Sequence, residues 1–263
     1  MERPLVGLAL GAGAAKGMAH LGILKVLKEE KIPIDIVAGT SIGSIFGALY
    51  ADNANMDFVY KMATLIKQQQ FIDVTLPKTG LIKGEKIEEL FRILTKNKEF
   101  KELAKPFYVV AVDIQTGEEV VINIGKVADA LRASVSIPGI FQPKKIGSRL
   151  LVDGAVKNHI PINVLKDHGA EYIIAVDVRF GGRIGVKHQV NSIFDVILLS
   201  LEIPYFEHLK KMCESCNVLI QPDLSHISPA RFDLVEEATS IGIEEARKVV
   251  PRIKMDLKKL GVD

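Results

Sequence analysis

Apolar residues along this 263-residue chain gather into short runs separated by longer segments of mixed polarity. Strand-like runs rich in aliphatic and β-branched side chains occur at Leu5–Leu10, Ile34–Val37, Phe107–Val112, Val120–Ile124, Tyr172–Val178 and Val218–Ile220. Between the first two, the stretch GMAHLGILKVLKEE (Gly17–Glu30) repeats Ala19, Ile23, Val26 and Leu27 at helical spacing and collects its charges toward the end. That pattern predicts a helix crossing from one strand to the next. Strands alternating with helices predict an α/β fold with a largely parallel sheet covered on both faces, and near-continuous apolar runs such as YIIAVDV suit strands buried on both sides. The stretch YVVAVDIQTGEEVVIN is different: Gln115, Thr116 and Gly117 lie between two strand-like runs and predict a hairpin or meander at the sheet edge. Residues 53–100 are mostly helical in pattern and interrupt the strand series, so they are read as a helical cap over one end of the sheet. No repeat, low-complexity segment or composition break marks a linker, and one domain spanning residues 1–263 is expected.

Composition narrows this picture. At 48% hydrophobic and 25% charged residues, the chain carries apolar material for one substantial core. Lys plus Arg number 34 against 32 Asp plus Glu, and the resulting net charge of +2 gives no electrostatic case for nucleic acid. The two cysteines, Cys213 and Cys216, form a C-x-x-C pair with no second Cys/His pair at ligand spacing and no strand-to-helix glycine turn before it. Packed, reduced thiols are the expectation, as in a cytoplasmic protein. The start MERPLVGLALGAGAA has some features of a secretory signal, but Arg3 is its one basic residue and Glu2 and Pro4 break the charged region. The uncharged stretch Ile36–Ala51 is shorter than the roughly 18 residues of a membrane span.

Chemistry enters at IVAGTSIGSIFGALYA, where an apolar strand runs into Gly39-Thr40-Ser41-Ile42-Gly43 and a helix-compatible segment follows. This is the context of a G-x-S-x-G elbow, in which a tight turn flanked by glycines presents a serine hydroxyl at the C-terminal edge of a sheet. Serine is also a favoured helix N-cap, and both readings stand at this level. A second loop, GAGAAKG (Gly11–Gly17), joins the first strand to the first helix and offers backbone amides to an anion, either a phosphate or the oxyanion of a tetrahedral intermediate. It does not fit a P-loop, since Met18 follows Lys16 and Gly17 where a hydroxyl belongs. Lys16 likewise stands where a dinucleotide fingerprint has its third glycine. As an oxyanion site, its donors would be the amides of Gly13 and Ala14.

A nucleophilic serine needs a base. His159, His168, His188, His208 and His226 follow Ser41 without an evident strand-end position and acidic partner, and His20 lies one turn into the first helix as a packed residue. Asp153 is placed differently: RLLVDGAVKNHIP runs an apolar strand into Asp-Gly, which stands a carboxylate at a tight turn. Asp113 and Asp177 also end apolar strands, and for each of the three a turn or cap is the ordinary explanation. At the ordinary aspartate pKa of about 3.9 the group would be a weak base, so a catalytic role requires burial that raises it.

Four stretches, LALGAGAAKGMAHLGIL, VAGTSIGSIFGALYA, ALRASVSIPGIFQP and LVDGAVKNHIPINVL, in that order over most of the first 165 residues, together resemble the patatin-like phospholipase family, in its bacterial, neuropathy-target-esterase-like branch. The short GLIKGEKIEEL also fits. The resemblance implies a patatin-like variant of the α/β-hydrolase architecture, with Ser41 as nucleophile and Asp153 as the sole base of a dyad. It places the oxyanion hole at Ala12, Gly13 and Ala14, with motif glycines at Gly11, Gly17, Gly39, Gly43 and Gly154. It implies phospholipid or lysophospholipid acyl esters as substrates, and no metal or cofactor. Ala12 and Ala14 depart from the commoner glycines, which puts the geometry of the loop in question because alanine resists positive φ.

Outside these motifs, SIFDVILLSLEIPYFEHLKKM (Ser192–Met212) has an apolar part and a basic end and is read either as a lid or membrane-facing segment or as a core helix. The C-terminal run ARKVVPRIKMDLKKLGVD reads as a solvated amphipathic helix whose lysines suit peripheral contact with anionic lipid. The competing functions are a general carboxylesterase or thioesterase using the same dyad, and a binding module whose glycine loop holds a nucleotide without chemistry. Oligomeric state is not written in the sequence.

Overall fold

The structure is a computed structural model that describes residues 3–65, 79–179 and 214–262, together with residues 73, 190, 193, 195–201, 203 and 205. Its first half runs β1 (Val6–Leu10), a 3-10 turn (Ala14–Met18), α1 (Ala19–Glu29), β2 (Ile36–Thr40), α2 (Ile42–Ala51), α3 (Met56–Leu65), β3 (Gly80–Ile82) and α4 (Glu85–Leu94). There follow β4 (Phe107–Asp113), β5 (Glu119–Ile122), α5 (Val127–Ser134), β6 (Gly139–Phe141), β7 (Lys144–Ile146), β8 (Arg149–Asp153), α6 (Ile162–Asp167), β9 (Tyr172–Val176), β10 (Val218–Ile220) and a C-terminal helix (Val235–Lys259).

Eight of the strands form one mixed sheet in which β10, β9, β1, β2 and β4 are mutually parallel. Strand alternation sorts the core. Val6, Leu8 and Leu10 of β1 face the layer of α1, α2 and the C-terminal helix, whereas Ala9, with Ala38 and Ala175 of the neighbouring strands, faces α6 through Ile162 and Leu165. Small residues on the second face let α6 pack closely against the sheet. The fold is therefore the α/β arrangement of a mostly parallel sheet flanked by helices.

The register around β4 decides which strand ends meet. Val109 and Val110 pair with both β2 and β5, and Ala111 and Val112 pair with both β8 and β5. A strand has two edges, so β5 occupies one and β2 and β8 lie end to end along the other. β2 is parallel to β4 and β8 is antiparallel to it, so the two approach each other with their C-terminal ends. Thr40 pairs with Val110 and Asp153 with the next residue, Ala111. The β4–β5 hairpin is the one predicted from Gln115–Gly117, and Asp113 serves its turn by accepting a bond from the Gln115 amide (3.0 Å).

Of the 53–100 stretch, the described part forms α3, β3 and α4. α3 lies against α1, α4 lies against α5, and β3 pairs with β6. Arg132 ties this stretch to the body. Its buried guanidinium donates to the carbonyls of Gly84 (2.9 Å), Lys83 (2.5 Å) and Gln142 (2.9 Å) and to Ser136 Oγ (2.5 Å), and it stacks on the Phe141 ring. Cys216 packs against the core on the α6 face, and Cys213 lies outside the described residues. The C-terminal basic run is helical, with Ala246, Val250, Ile253 and Leu257 buried and Lys254 outward, paired with Glu30.

Candidate active site

Ser41 stands alone between β2 and α2, with φ 54° and ψ −127°. A non-glycine residue in this region stores of order 1–3 kcal/mol of strain and persists only where its surroundings over-determine it. They do so here. Gly39 and Gly43 allow the turn to close: a Cβ on Gly43 would sit 2.3 Å from the Leu10 carbonyl oxygen, and one on Gly39 would sit 2.6 Å from the Gly43 carbonyl oxygen. The Ser41 amide donates to Ser134 Oγ (2.8 Å), which donates in turn to the Val110 carbonyl (2.6 Å). The Ser41 carbonyl accepts from both the amide (2.8 Å) and the hydroxyl (2.6 Å) of Ser44. Ser41 is therefore more than a helix cap, because its side chain bonds away from the helix.

That side chain donates from Oγ to Asp153 Oδ2 at 2.7 Å, within a buried pair 112 residues apart in sequence. The meeting of β2 and β8 on one edge of β4 produces this contact, since each side chain sits at the end of its strand. Asp153 is also the cap of the 3-10 turn Gly154–Val156, and its Oδ1 accepts from the Ala155 amide (2.8 Å). Gly154 is pressed against the Val110 carbonyl at the same junction. Burial raises the Asp153 pKa from its ordinary value to about 6; the Ser41 hydroxyl, the Ala155 amide and the positive charge of Arg179 offset part of the rise. The carboxylate thus has the raised basicity that a catalytic role requires.

The glycine loop lies against the elbow, where Gly17 faces Ile42 and the Leu10 and Gly11 carbonyls face Gly43. Its amides are not equivalent. Gly11 N–H donates to the Val176 carbonyl (3.0 Å) and Ala12 N–H to the His159 carbonyl (2.9 Å), so Ala12, expected as an oxyanion donor, has its amide already committed. The amides of Gly13 and Ala14 have no acceptor among the described residues. Ala14 adopts φ 47°, the left-handed conformation that alanine resists, whereas Gly13 is extended at φ 169°. The loop therefore keeps its turn despite the alanine and holds some strain there.

The histidines stay out of hydrogen-bonding reach of the serine hydroxyl among the described residues. His20 is buried, donates from Nε2 to the Gly11 carbonyl (2.8 Å), and has its pKa lowered to about 4 by burial. His159 packs its ring on Tyr205 and is held neutral by burial and by the nearby charge of Arg179. His168 bonds the Val164 carbonyl, His226 pairs with Glu237 at the surface, and His188 and His208 lie outside the described residues. Asp177 closes the turn after β9 by accepting from the Arg179 amide. In the segment 192–212, residues 193, 195–201, 203 and 205 are helical, with Leu198 and Tyr205 buried and Ile193, Val196 and Ile203 exposed; the rest, including the lysines, lies outside the described residues. No helix among the described residues is long and apolar enough to cross a membrane.

Two residues near the serine carry no signal in the sequence, Ser134 and Arg179. Ser134 sits within ALRASVSIPGIFQP, but nothing local marks a hydroxyl that reaches back 93 residues to one amide. Ser134→Ala would strand the buried Ser41 N–H, at a cost of about 1–3 kcal/mol. The expected result is a lower melting temperature together with a kcat reduced more than KM is changed, read by thermal denaturation and steady-state kinetics.

The family profile of patatin-like phospholipases matches residues 8–166, which contain the elbow, the glycine loop and Asp153. The chain belongs to the patatin-like phospholipase family. An uncharacterized NTE family protein of Mycobacterium tuberculosis is 31% identical over 264 residues, covering 98% of this chain and 42% of that protein. The patatin-like phospholipase domain-containing protein 6 of Mus musculus is 32% identical over 184 residues, covering 66% of this chain and 13% of that protein. This patatin-like chain thus spans less than half the length of these relatives. VipD from Legionella pneumophila superposes with a TM-score of 0.55 at 12% identity, covering 96% of this chain and 67% of that one. The type III effector protein ExoU gives 0.52 at 12% identity, covering 100% and 54%. Both share the fold of the patatin-like chain.

Proposed function

We propose that this patatin-like chain is a serine lipid acyl hydrolase that cleaves acyl esters of phospholipids or lysophospholipids through an acyl-serine intermediate. The observation that carries the reading is the 2.7 Å bond from Ser41 Oγ to a buried carboxylate of raised basicity, made at a strained strand-to-helix elbow. Asp153 takes the hydroxyl proton as Ser41 Oγ attacks the ester carbonyl carbon. The negative charge that develops on the carbonyl oxygen is received by the Gly13 and Ala14 amides, assisted by the N-terminal dipole of α2 beside the serine. Collapse of the tetrahedral intermediate expels the alcohol, which takes the proton from Asp153, and leaves the acyl group on Ser41. Water then attacks that ester as Asp153 takes its proton, and collapse of the second tetrahedral intermediate releases the fatty acid as Ser41 Oγ recovers the proton from Asp153.

Labelling tests the nucleophile directly. A fluorophosphonate should add one phosphonyl group to the intact protein, mapped to Ser41, and wild-type protein that stays unlabelled while folded would defeat the reading. Labelling also separates an acyl hydrolase from a nucleotide-binding module. Comparing phosphatidylcholine vesicles with short p-nitrophenyl esters then separates a lipase from a general esterase, and higher kcat/KM on vesicles is expected. The base must be deprotonated to act, so kcat/KM on a soluble ester should be flat above pH 7 and fall below about 6, tenfold per unit, with the Asp153 pKa. An acid limb near pH 4 in the pH–rate profile would show that the carboxylate is not desolvated in solution.

A further inference from the structure

Arg179 lies just past β9, beyond the part of the chain that the family profile matches, and is only 4% exposed. Its place is built by the turn that Asp177 closes. Asp177 Oδ1 accepts from the Arg179 amide (2.9 Å), Oδ2 accepts from Gln221 Nε2 (3.0 Å), and the Asp177 amide donates to the Ile220 carbonyl (2.9 Å). The turn is thereby anchored to β10 and carries the guanidinium to the glycine loop. There Arg179 Nε donates to the Ala12 carbonyl at 3.3 Å, with the guanidinium over the Tyr205 ring.

The bond falls on the peptide that joins Ala12 to Gly13. A trans peptide is planar and points its C=O and N–H in opposite directions, and the chain has no cis peptide among the described residues. Holding the Ala12 carbonyl toward Arg179 therefore holds the Gly13 N–H away from it. That N–H is one of the two loop amides with no acceptor among the described residues. The neighbouring peptides are fixed by other groups: His20 and the His159 carbonyl hold the peptide between Gly11 and Ala12, and the Lys16 amide holds the Gly13 carbonyl (3.1 Å).

We propose that Arg179 is a positioning residue for the oxyanion site, presetting the Gly13 amide through its bond to the Ala12 carbonyl. The role rests on the acyl-hydrolase reading of the Ser41–Asp153 pair. Its effect belongs to the transition state, because the amide is needed most when charge builds on the ester oxygen.

Two substitutions of equal charge test it. Arg179→Met removes the donor, whereas Arg179→Gln places its amide nitrogen at the position of the arginine Nε and keeps it. The expected result for Arg179→Met is a kcat about ten- to a hundredfold lower, with KM within about twofold. Affinity for a trifluoromethyl ketone, which forms a tetrahedral adduct on Ser41, should fall by the same factor as kcat/KM. Arg179→Gln should recover most of both. Wild-type kcat in Arg179→Met, or equal loss in the two variants, would overturn the proposal. If Arg179→Met fails to fold, Arg179→Lys, which keeps the charge but has a methylene where Nε stood, replaces it in the comparison: kcat/KM and ketone affinity at least tenfold lower than in Arg179→Gln support the role, and equal values in the two overturn it. Wild-type protein that neither hydrolyses esters nor takes a fluorophosphonate at Ser41 would instead remove the acyl-hydrolase reading itself.

Discussion

Replacing Ser41 by alanine is expected to lower ester turnover by at least about 10⁴-fold, the scale seen when a covalent nucleophile is removed from a preorganised site. Among the described residues Ser41 is the serine whose hydroxyl bonds Asp153; the buried Thr40 hydroxyl beside it has no hydrogen-bond partner there and does not bond the carboxylate. Ser134, Ser44 and Ser136, the last bonded through its carbonyl to the Asp153 amide, have their hydroxyls committed to the Val110, Ser41 and Arg132 carbonyls. The fold should survive. The bonds that clamp position 41 are made by its backbone amide and carbonyl, which alanine keeps, and alanine is no more strained at φ 54° than serine. Circular dichroism should therefore match wild type while steady-state hydrolysis and phosphonyl labelling both disappear. Residual turnover above about a hundredth of wild type would place the nucleophile elsewhere.

Asp153→Asn should abolish activity to a similar degree, because an amide takes no proton from the serine, and should also stabilise the protein. Burial raises the folded pKa of Asp153 from 3.8 to about 6. Between those values the folded chain binds a proton that the unfolded chain has released, so stability falls as pH rises through the window. Above about pH 6 the folded state has lost about 3 kcal/mol, from two pKa units at about 1.4 kcal/mol each. Asparagine removes that loss while its amide oxygen still accepts from Ala155 and its amide nitrogen can donate to Ser41. At pH 8 the variant should melt several degrees higher than wild type, and the gain should shrink toward pH 4. A variant that is less stable than wild type at pH 8 would show that the carboxylate does not carry this desolvation cost.

Much of the architecture is legible without coordinates. Runs such as VGLAL, IVAGT and YIIAV form the parallel centre of the sheet because aliphatic and small residues on both alternating faces suit only a strand covered on two sides. The elbow and the Asp-Gly turn are legible because both combine a strand end with glycine. The short strands β3, β6 and β7 are not, since three residues carry too little periodicity to register. Ser134 and Arg179 escape for another reason. Each acts on one backbone group of a residue far away in sequence, Ser134 on Ser41 and Arg179 on Ala12, and a contact of that kind leaves no spacing to detect. The commitment of the Ala12 amide to His159 is hidden in the same way.

The shared edge of β4 has a consequence for how such a chain can change. Because β2 and β8 abut on one template strand, the gap between the Ser41 hydroxyl and the Asp153 carboxylate is measured by the hydrogen-bond ladder and not by the connection joining them. A one-residue slip of β8 would turn the carboxylate to the opposite face. The intervening chain outside β4, β8 and the clamp around Ser134 carries no such restriction. Segments such as α3 or α4 can therefore change in length while the Ser41 hydroxyl and the Asp153 carboxylate keep their spacing.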